Sequence, residues 1–391
     1  MKILMTITCL NVEVGGVATA VRGLSEALQQ RGNQVLTATL DLPGTPIDIP
    51  GVQIKKFKAD QASGLYPSAP MRDYINRSAA DFDVVHIHGI WQKPGHYASK
   101  AARRAGIPYL VSPQGMLDER SLKMGRTWAK KLAWMFWEGS MMRHASAIHC
   151  LSEDEYRVSP WIHGLPILIA PNGVSTDELS AIPKRGAWRQ CNAGLLGDEN
   201  RPVVAYLARI HPKKGLPRML KSWPALIKTH PDSLLAIAGT GSDEHVDEIR
   251  KLIQDLNLEK NVALVGQLPG MAKWEFLADA DLYVLPSYQE GLSLATAEAM
   301  GAGLPVVITR ECNFQDVQKH NAGIIIENGD MSAFAQAVGR LMGDPALRKT
   351  MGENGAKLIR TQYTWDVIGE KVEKVYQTLA AGKPLPKIQQ S

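Results

Sequence analysis

A chain of 391 residues exceeds what one ordinary core can serve, so its length points to two domains. A net charge of +5, with the basic residues spread along the chain, speaks against a nucleic-acid binder and leaves contact with an anionic membrane surface open. Cys9, Cys150, Cys191 and Cys312 lack CxxC spacing and read as buried thiols, not a disulfide frame or metal site. No apolar run is long enough to span a bilayer, and the opening Met1–Ile7 is too soon interrupted for a signal peptide, so the expected location is cytoplasmic.

Taken in order, Lys2 to Cys9 reads as a buried strand, followed by a Gly15-Gly16 loop and a helix from Val17 to Gln30 that Arg31-Gly32 ends. Asn33 to Leu40 is a second strand, and this βαβ opening is the mark of a doubly wound sheet. Val52 to Lys58 reads as a third strand and Gly64 to Pro70 as a loop. Asp83 to His88 is a buried strand, with a helix from Gly95 to Ala105 behind it; Tyr109 to Ser112 is the next strand. A long helical stretch runs from Ser121 to Arg143, and strands at Ala147–Leu151 and Ile167–Ala170 close the first half.

The stretch 171–200 is rich in Gly, Pro and polar residues and reads as a linker between a domain of residues 1–170 and one of residues 201–363. A second alternation follows. Its strands are expected at 203–208, 234–238, 262–265, 282–285, 306–309 and 324–326, with helices at 217–228, 244–256, 272–278 and 294–300 and a helical tail. A helix at about 364–380 is expected to pack back on the first domain. The fold class is α/β: two Rossmann-like doubly wound domains facing an interdomain cleft. Ligands of such sheets sit outside the carboxyl ends of the strands.

The strand ends carry the chemistry. Gly15 and Gly16 let backbone approach a ligand, and the helix behind them favours an anion. Arg209 and Lys214 follow the first strand of the second alternation, where a guanidinium and an ammonium can clamp phosphate oxygens. Gly239-Thr240-Gly241 and Gly266-Gln267-Leu268 follow the next two strands and offer backbone to a ligand. After the strand 282–285, a polar turn holds Glu290, then Gly291, Leu292 and Ser293 lead into a helix from Leu294 that carries Glu298. Two carboxylates eight positions apart, beside a helix N-terminus, suit a ligand with both phosphate and hydroxyls.

His86 and His88 alternate onto one strand face without a second ligand cluster. His88, nearer the strand end, reads as an acceptor-site and catalytic candidate and His86 as buried structure. Asp81-Phe82-Asp83 and Asp279-Ala280-Asp281 spell DxD but stand at the amino ends of strands, so they read as strand-start caps.

Together, Gly15-Gly16, Arg209 with Lys214-Gly215, Gly239-Thr240-Gly241, Glu290-x7-Glu298 and Pro171-Asn172-Gly173-Val174 resemble the retaining glycosyltransferases of family 4, which have the GT-B fold. The stretches His86-Ile87-His88-Gly89-Ile90-Trp91 and Ser112-Pro113-Gln114-Gly115-Met116-Leu117 look like a bacterial branch that builds exopolysaccharide, capsule or O-antigen. The resemblance implies a metal-independent hexosyltransferase, without cofactor, that uses a nucleotide-diphospho-sugar donor and a lipid-linked saccharide acceptor. It places the donor diphosphate on Arg209 and Lys214, the ribose hydroxyls on Glu298, and the transferred sugar on Glu290 and the N–H groups of Gly291, Leu292 and Ser293. Gly16 would stand near the diphosphate, and His88 and Gln114 on the acceptor side. Relatives often carry His where Gln114 stands, and Asp where Ser175 follows Asn-Gly-Val; Gln114 can hydrogen-bond but not act as a base.

The stretch Ser121–Arg143 holds Lys123, Arg126, Lys130 and Lys131 beside Trp134, and two readings stand: a face for an anionic membrane, which would make the protein peripheral on the inner surface, or a core helix packed on the sheet. Two other readings of the whole chain are a nucleotide-sugar epimerase or hydrolase of the same fold and an inactive nucleotide-sugar binding module.

Overall fold

The computed structural model describes residues 1–61, 64–118, 121–122 and 127–385. Two compact units emerge: Met1–Gly173 with Trp365–Ser391, and Val174–Thr364.

Unit 1 is built on a seven-stranded sheet of order β3-β2-β1-β4-β5-β6-β7, every neighbouring pair parallel. Its strands are β1 (Lys2–Cys9), β2 (Gln34–Asp41), β3 (Gln53–Lys58), β4 (Val84–His88), β5 (Tyr109–Ser112), β6 (Ala147–Cys150) and β7 (Ile167–Ile169). The inner strands β2, β1, β4, β5 and β6 are buried along nearly their whole length because helices cover both faces, which is what a parallel sheet requires, while the edge strand β3 is largely polar. On one face the helix Gly16–Gln30 buries Ala18, Val21, Leu24 and Leu28 at helical spacing. The helix Trp365–Ala380 packs beside it through Ile368, Val372, Tyr376 and Leu379. Its Glu373 accepts from Arg31 Nε and Asn33 Nδ2, each at 2.6 Å, tying the chain's end to its beginning. The other face is covered by Ala69–Ser78 and Lys93–Ala105. The first of these begins inside the stretch read as a loop. Ser68 caps it, its hydroxyl accepting from Met71 N at 3.2 Å, with Pro70 in the first turn.

Unit 2 repeats the plan with six strands of order β10-β9-β8-β11-β12-β13, again parallel throughout. These are β8 (Val203–Leu207), β9 (Leu234–Ala238), β10 (Val262–Gly266), β11 (Leu282–Leu285), β12 (Val306–Thr309) and β13 (Gly323–Ile326). Trp223, Trp274, Tyr206, Tyr283, Phe276, Phe314 and Phe334 fill its core.

Residues 174–200, read as a linker, instead belong to unit 2, where they form the helices Thr176–Ser180, Ala187–Cys191 and Ala193–Leu196. Trp188 packs edge-on against Phe276, and Arg189 donates to Asp279 O, Glu199 O and Arg201 O, so the segment is pinned despite its loop-like composition. Cys191, at the end of one of these helices, is exposed, unlike the buried Cys150 and Cys312. The second aspartate of each DxD serves the start of a strand: Asp83 accepts from Lys2 N at 2.7 Å and Asp281 from Val203 N at 2.8 Å, whereas Asp279 accepts from Gly186 N and Arg189 N. No helix among the described residues is long and apolar enough to cross a membrane.

Candidate active site

In both sheets the strand order reverses beside the first strand, between β1 and β4 and between β8 and β11. A crevice opens at such a point because the loops leaving the two adjacent strands turn to opposite faces. In unit 2 those loops are 208–215 and 286–293. They are sewn together: Tyr288 N and Ser287 Oγ both donate to Lys213 O, at 2.7 and 3.1 Å. Gly215, at φ +70°, lies so close to Pro286 that a Cβ would stand 2.0 Å from its carbonyl oxygen. Only glycine permits that approach.

This seam brings Lys214 to Glu290. The ammonium donates to Glu290 Oε1 at 2.5 Å, with both side chains largely buried. The backbone of Glu290 is fixed from the β12 end: its N–H donates to Glu311 O at 2.9 Å, and Asn313 Nδ2 donates to Glu290 O at 2.6 Å. Arg209, on the same loop as Lys214, is exposed, and no hydrogen bond or ion pair engages its guanidinium among the described residues. The helix Leu294–Gly301 starts at Ser293, whose hydroxyl accepts from Thr296 N at 3.3 Å. Gly291 and Leu294 are half-buried and Leu292 is buried.

Glu298 sits one helical turn further in. It accepts from Lys273 Nζ at 2.6 Å, and Glu178 lies 3.7 Å from the same ammonium. Burial raises the Glu298 carboxyl above the usual carboxylate range, against the pull of Lys273. The two carboxylates read from the sequence are thus each matched by a lysine: Lys214, singled out there as a phosphate clamp, and Lys273, which was not singled out.

Gly239 and Gly241 stand at the end of β9, but the space their missing side chains leave is filled by protein. A Cβ would lie 1.9 Å from Ala208 O at Gly239 and 2.1 Å from Ile210 O at Gly241. Their smallness lets the 208–210 segment pack directly against them. Gly266, at the end of β10, accepts from Gly239 N at 2.8 Å; Gln267 beyond it is exposed and Leu268 half-buried.

In unit 1, Gly16 opens the first helix, is exposed, and has nothing within 4 Å of where a Cβ would be; Gly15 precedes it at φ +77°. His88 is only 3% exposed, with neither ring nitrogen hydrogen-bonded. Burial and His149 push its pKa down to about 3, so it carries no proton to donate as an imidazolium near neutrality. The position near the strand end is as expected, but the side chain lies under the sheet-covering helices, stacked 4.1 Å from His86. His86 itself is buried, bonded to Tyr376 Oη at 2.6 Å and to His149 at 3.3 Å.

Gln114 follows β5 at φ +54°, a left-handed conformation uncommon outside glycine, and accepts from Asn172 Nδ2 at 3.5 Å. Trp91, after β4, is at φ +73°. A buried carboxylate secures each loop. Glu138 Oε1 accepts from Trp91 N at 2.9 Å and Trp137 Nε1 at 3.1 Å. Glu155 accepts from Gly115 N at 2.5 Å and Leu151 N at 2.6 Å. Burial pushes both carboxyls up to about 7, against these N–H donors and, at Glu138, the pull of Lys93. Sequence reasoning passed over Glu138 and Glu155 and took Trp91 only as part of a motif; the Trp91–Glu138 and Gly115–Glu155 contacts join residues distant in the chain.

Also missed were Lys273 and Arg218. Arg218 donates to Pro286 O at 2.7 Å and stacks 3.8 Å over the Tyr288 ring, bracing the Glu290 turn. Among the described residues no group of three or more His, Cys, Asp or Glu side chains is placed to hold a metal ion.

Two family models match the chain, Glycosyl transferases group 1 over residues 193–358 and Glycosyl transferase 4-like domain over residues 15–173, which together take in most of both units. The chain belongs to the group 1 glycosyltransferases of family 4. It is 26% identical over 384 residues to a phosphatidyl-myo-inositol mannosyltransferase of Mycobacterium leprae (strain TN), covering 94% of each chain. Over 313 residues it is 26% identical to the UDP-Gal:alpha-D-GlcNAc-diphosphoundecaprenol alpha-1,3-galactosyltransferase of Escherichia coli, covering 77% of each. Among solved structures, the sucrose-phosphate synthase from Thermosynechococcus elongatus matches with a TM-score of 0.78 at 20% identity, over 98% of this chain and 100% of that one. The glycosyltransferase has the GT-B fold, built on the two parallel sheets described above.

Proposed function

We propose that this glycosyltransferase moves a hexose-type sugar, with retention of configuration, from a nucleotide-diphospho-sugar to a lipid-linked saccharide in the synthesis of bacterial surface polysaccharide. One observation carries the donor half: the Lys214–Glu290 ion pair at the point where the unit 2 sheet reverses, with the exposed Arg209 on the same loop. The names of both curated relatives include a lipid, phosphatidyl-myo-inositol in one and diphosphoundecaprenol in the other, and this supports a lipid-linked acceptor. A protein acting on such acceptors works at a membrane surface.

In this reading the bond between the anomeric carbon and the donor phosphate oxygen breaks, and its electron pair stays on the departing nucleotide diphosphate. Lys214 and Arg209 neutralise that growing charge, which is where a transferase gains most. The acceptor oxygen bonds to the same face of the sugar, and its proton passes to the leaving phosphate. Glu290 accepts from hydroxyls of the transferred sugar, with the N–H groups of Gly291, Leu292 and Ser293 beside it. Glu298 accepts from the ribose hydroxyls, oriented by Lys273. The Lys214–Glu290 pair holds both side chains in place before the donor arrives, so little reorganisation is left for the reaction.

The test is replacement of Lys214 or Glu290 by Ala, read as sugar transfer and nucleotide release from UDP- and GDP-sugars. Each should lower turnover at least roughly a hundredfold while the protein stays folded. Unchanged turnover in either variant sinks the assignment.

A further inference from the structure

The helical stretch that follows β5 presents an apolar face that no other element among the described residues covers. It runs through Thr127–Ala133, a π-helical turn at Trp134–Glu138, and Gly139–Arg143. Gly139 N donates to Trp134 O, five residues back, which widens this turn and shifts which side chains face outward. Trp128 is 66% exposed, Leu132 41%, Met135 64% and Phe136 68%. Their spacing of four, three and one puts them on one side of the helix. Large apolar side chains are among the residues a soluble surface hides most consistently, and a contiguous stripe of four marks a contact surface.

Two of the residues read from the sequence as membrane contacts face elsewhere. Trp134 is turned against Trp161, ring centroids 4.6 Å apart, and packs on the core of unit 1. Lys130 donates to Ser121 O. Lys123 and Arg126 lie outside the described residues. Lys131 is exposed beside the stripe.

The stretch that carries the stripe and the helix Lys93–Ala105 packed beside its end are charged almost wholly with one sign. Every charged residue of Lys93–Ala105 and Thr127–Arg143 is basic except Glu138, and Glu138 is fully buried. A groove of about 410 Å³ runs between these two segments, with Lys100, Arg103 and Arg104 on one wall and Trp137 and Ser140 on the other. Arg103 Nη1 donates to Ser140 Oγ at 3.3 Å across it. Lys93 lies 4.1 Å over the Trp137 ring.

We propose that this surface docks the protein on an anionic lipid bilayer. Trp128, Leu132, Met135 and Phe136 enter the boundary between headgroups and acyl chains, and Lys131 with the Lys100, Arg103 and Arg104 wall meets lipid phosphates. The charge decides the occupant. A second copy of the chain would bring the same cations face to face, whereas an anionic bilayer supplies both apolar depth and negative headgroups. Tryptophan and phenylalanine beside lysine and arginine is the composition of an interfacial helix. The inference rests on the lipid-linked acceptor proposed above for its purpose, since docking brings unit 1 to the surface where such an acceptor is held.

The experiment is sedimentation of the full chain with vesicles of phosphatidylglycerol and phosphatidylcholine, against vesicles of phosphatidylcholine alone. The protein should pellet with the anionic vesicles and be released by high salt. The double variant Trp128→Ser, Phe136→Ser should bind roughly a hundredfold more weakly, and the double variant Lys131→Gln, Arg104→Gln roughly tenfold, with far-ultraviolet dichroism unchanged. All altered side chains are exposed, so the variants retain the core. A wild-type protein that stays in the supernatant overturns the proposal, as does a Trp128/Phe136 variant that still pellets fully. If that variant instead turns a dimer into a monomer in analytical ultracentrifugation, the face belongs to a second copy and docking is wrong. Vesicle binding uses neither donor nor acceptor. Transfer without binding therefore sinks the docking alone, and binding without transfer supports docking and sinks the catalytic reading.

Discussion

Around their strand-end loops the two units bury a carboxylate in opposite ways, although elsewhere in unit 1 Glu373 is matched by Arg31. In unit 2, Glu290 and Glu298 each face a lysine, at 2.5 and 2.6 Å. In unit 1, Glu138 and Glu155 accept from N–H groups and form no ion pair among the described residues, and burial pushes both up to about 7, at Glu138 against the pull of Lys93. A buried charge must be matched or surrendered. Unit 2 matches it, which keeps charged groups of both signs at its strand ends and suits a diphosphate with hydroxyls. Unit 1 comes close to surrendering it, and uses the carboxyls to hold the Trp91 and Gly115 loops in their left-handed turns. The same parallel topology thus carries a charged site on one sheet and a largely neutral, polar one on the other.

The comparison breaks most sharply at Lys273. Removing the cation while leaving Glu298 buried should destabilise the protein by about 3 kcal/mol, because the uncompensated charge costs more than the pair was worth. The double variant Lys273→Met, Glu298→Gln should recover more than half of that loss in urea unfolding. If Lys273→Ala unfolds at the wild-type midpoint, the matched-pair account of unit 2 fails.

Glu138 offers the corresponding test in unit 1. Its folded-state pKa, about 7, lies above the value near 4.3 of an unfolded chain. The folded protein therefore keeps a proton that the unfolded chain releases, and stability falls as pH rises between about 4.5 and 7, then levels off. The size is on the order of 3 kcal/mol for each such group, and Glu155 behaves alike. Glu138→Gln keeps the oxygen that accepts from Trp91 and Trp137 and cannot ionise. Relative to the wild type, this variant should grow more stable as pH rises from 5 to 7.5, because it lacks one group whose ionisation opposes folding, and paired melting temperatures read that difference. An identical slope in both proteins argues that Glu138 is not the group that surrenders its charge.

Much of the fold and part of the site could be read from the chain because the informative residues are local. Arg209, Lys214 and Glu290 follow short apolar runs, so their strand-end positions come directly from pattern, and Glu298 stands on the helix behind Glu290. Lys273, Arg218 and Glu138 are not legible in this way. Each acts on a partner many residues away, and nothing in its own neighbourhood sets it apart from a solvated side chain. The helix Ala69–Ser78 had its signals, Ser68 as cap and Pro70 in the first turn, yet Gly64 and the prolines around it argued for a loop. At Gly239 and Gly241 the glycines were visible but their close packing was not, because the carbonyls of Ala208 and Ile210 that exclude a Cβ come from the neighbouring strand's loop. The apolar stripe at 128–136 was disguised by the π-helical turn, which sends Trp134 inward and Phe136 outward.

The smallest expected effect concerns His88, and it tests whether unit 1 gives up charge at its imidazoles as it does at its carboxyls. His88 is buried, packed on His86 and near His149, and its pKa is pushed down to about 3; His149 is pushed down to about 4 and His86 well below its ordinary range. Burial is the main cause for all three, because a desolvated imidazolium has no acid nearby to replace the water it loses. The folded-state pKa values lie below the unfolded value near 6.5, so these groups favour the folded state fully above that pH and progressively less as pH falls through 6.5. Above pH 5 nothing should change at His88 itself. Its ring protons should show no titration shift in NMR spectra between pH 5 and 8, and no limb of the pH–rate profile for transfer should vanish when His88 is replaced by Asn. A His88 signal that titrates near pH 6.5 would mean the ring is solvated and available for proton transfer, and the division between a charged unit 2 site and a neutral unit 1 site would no longer hold.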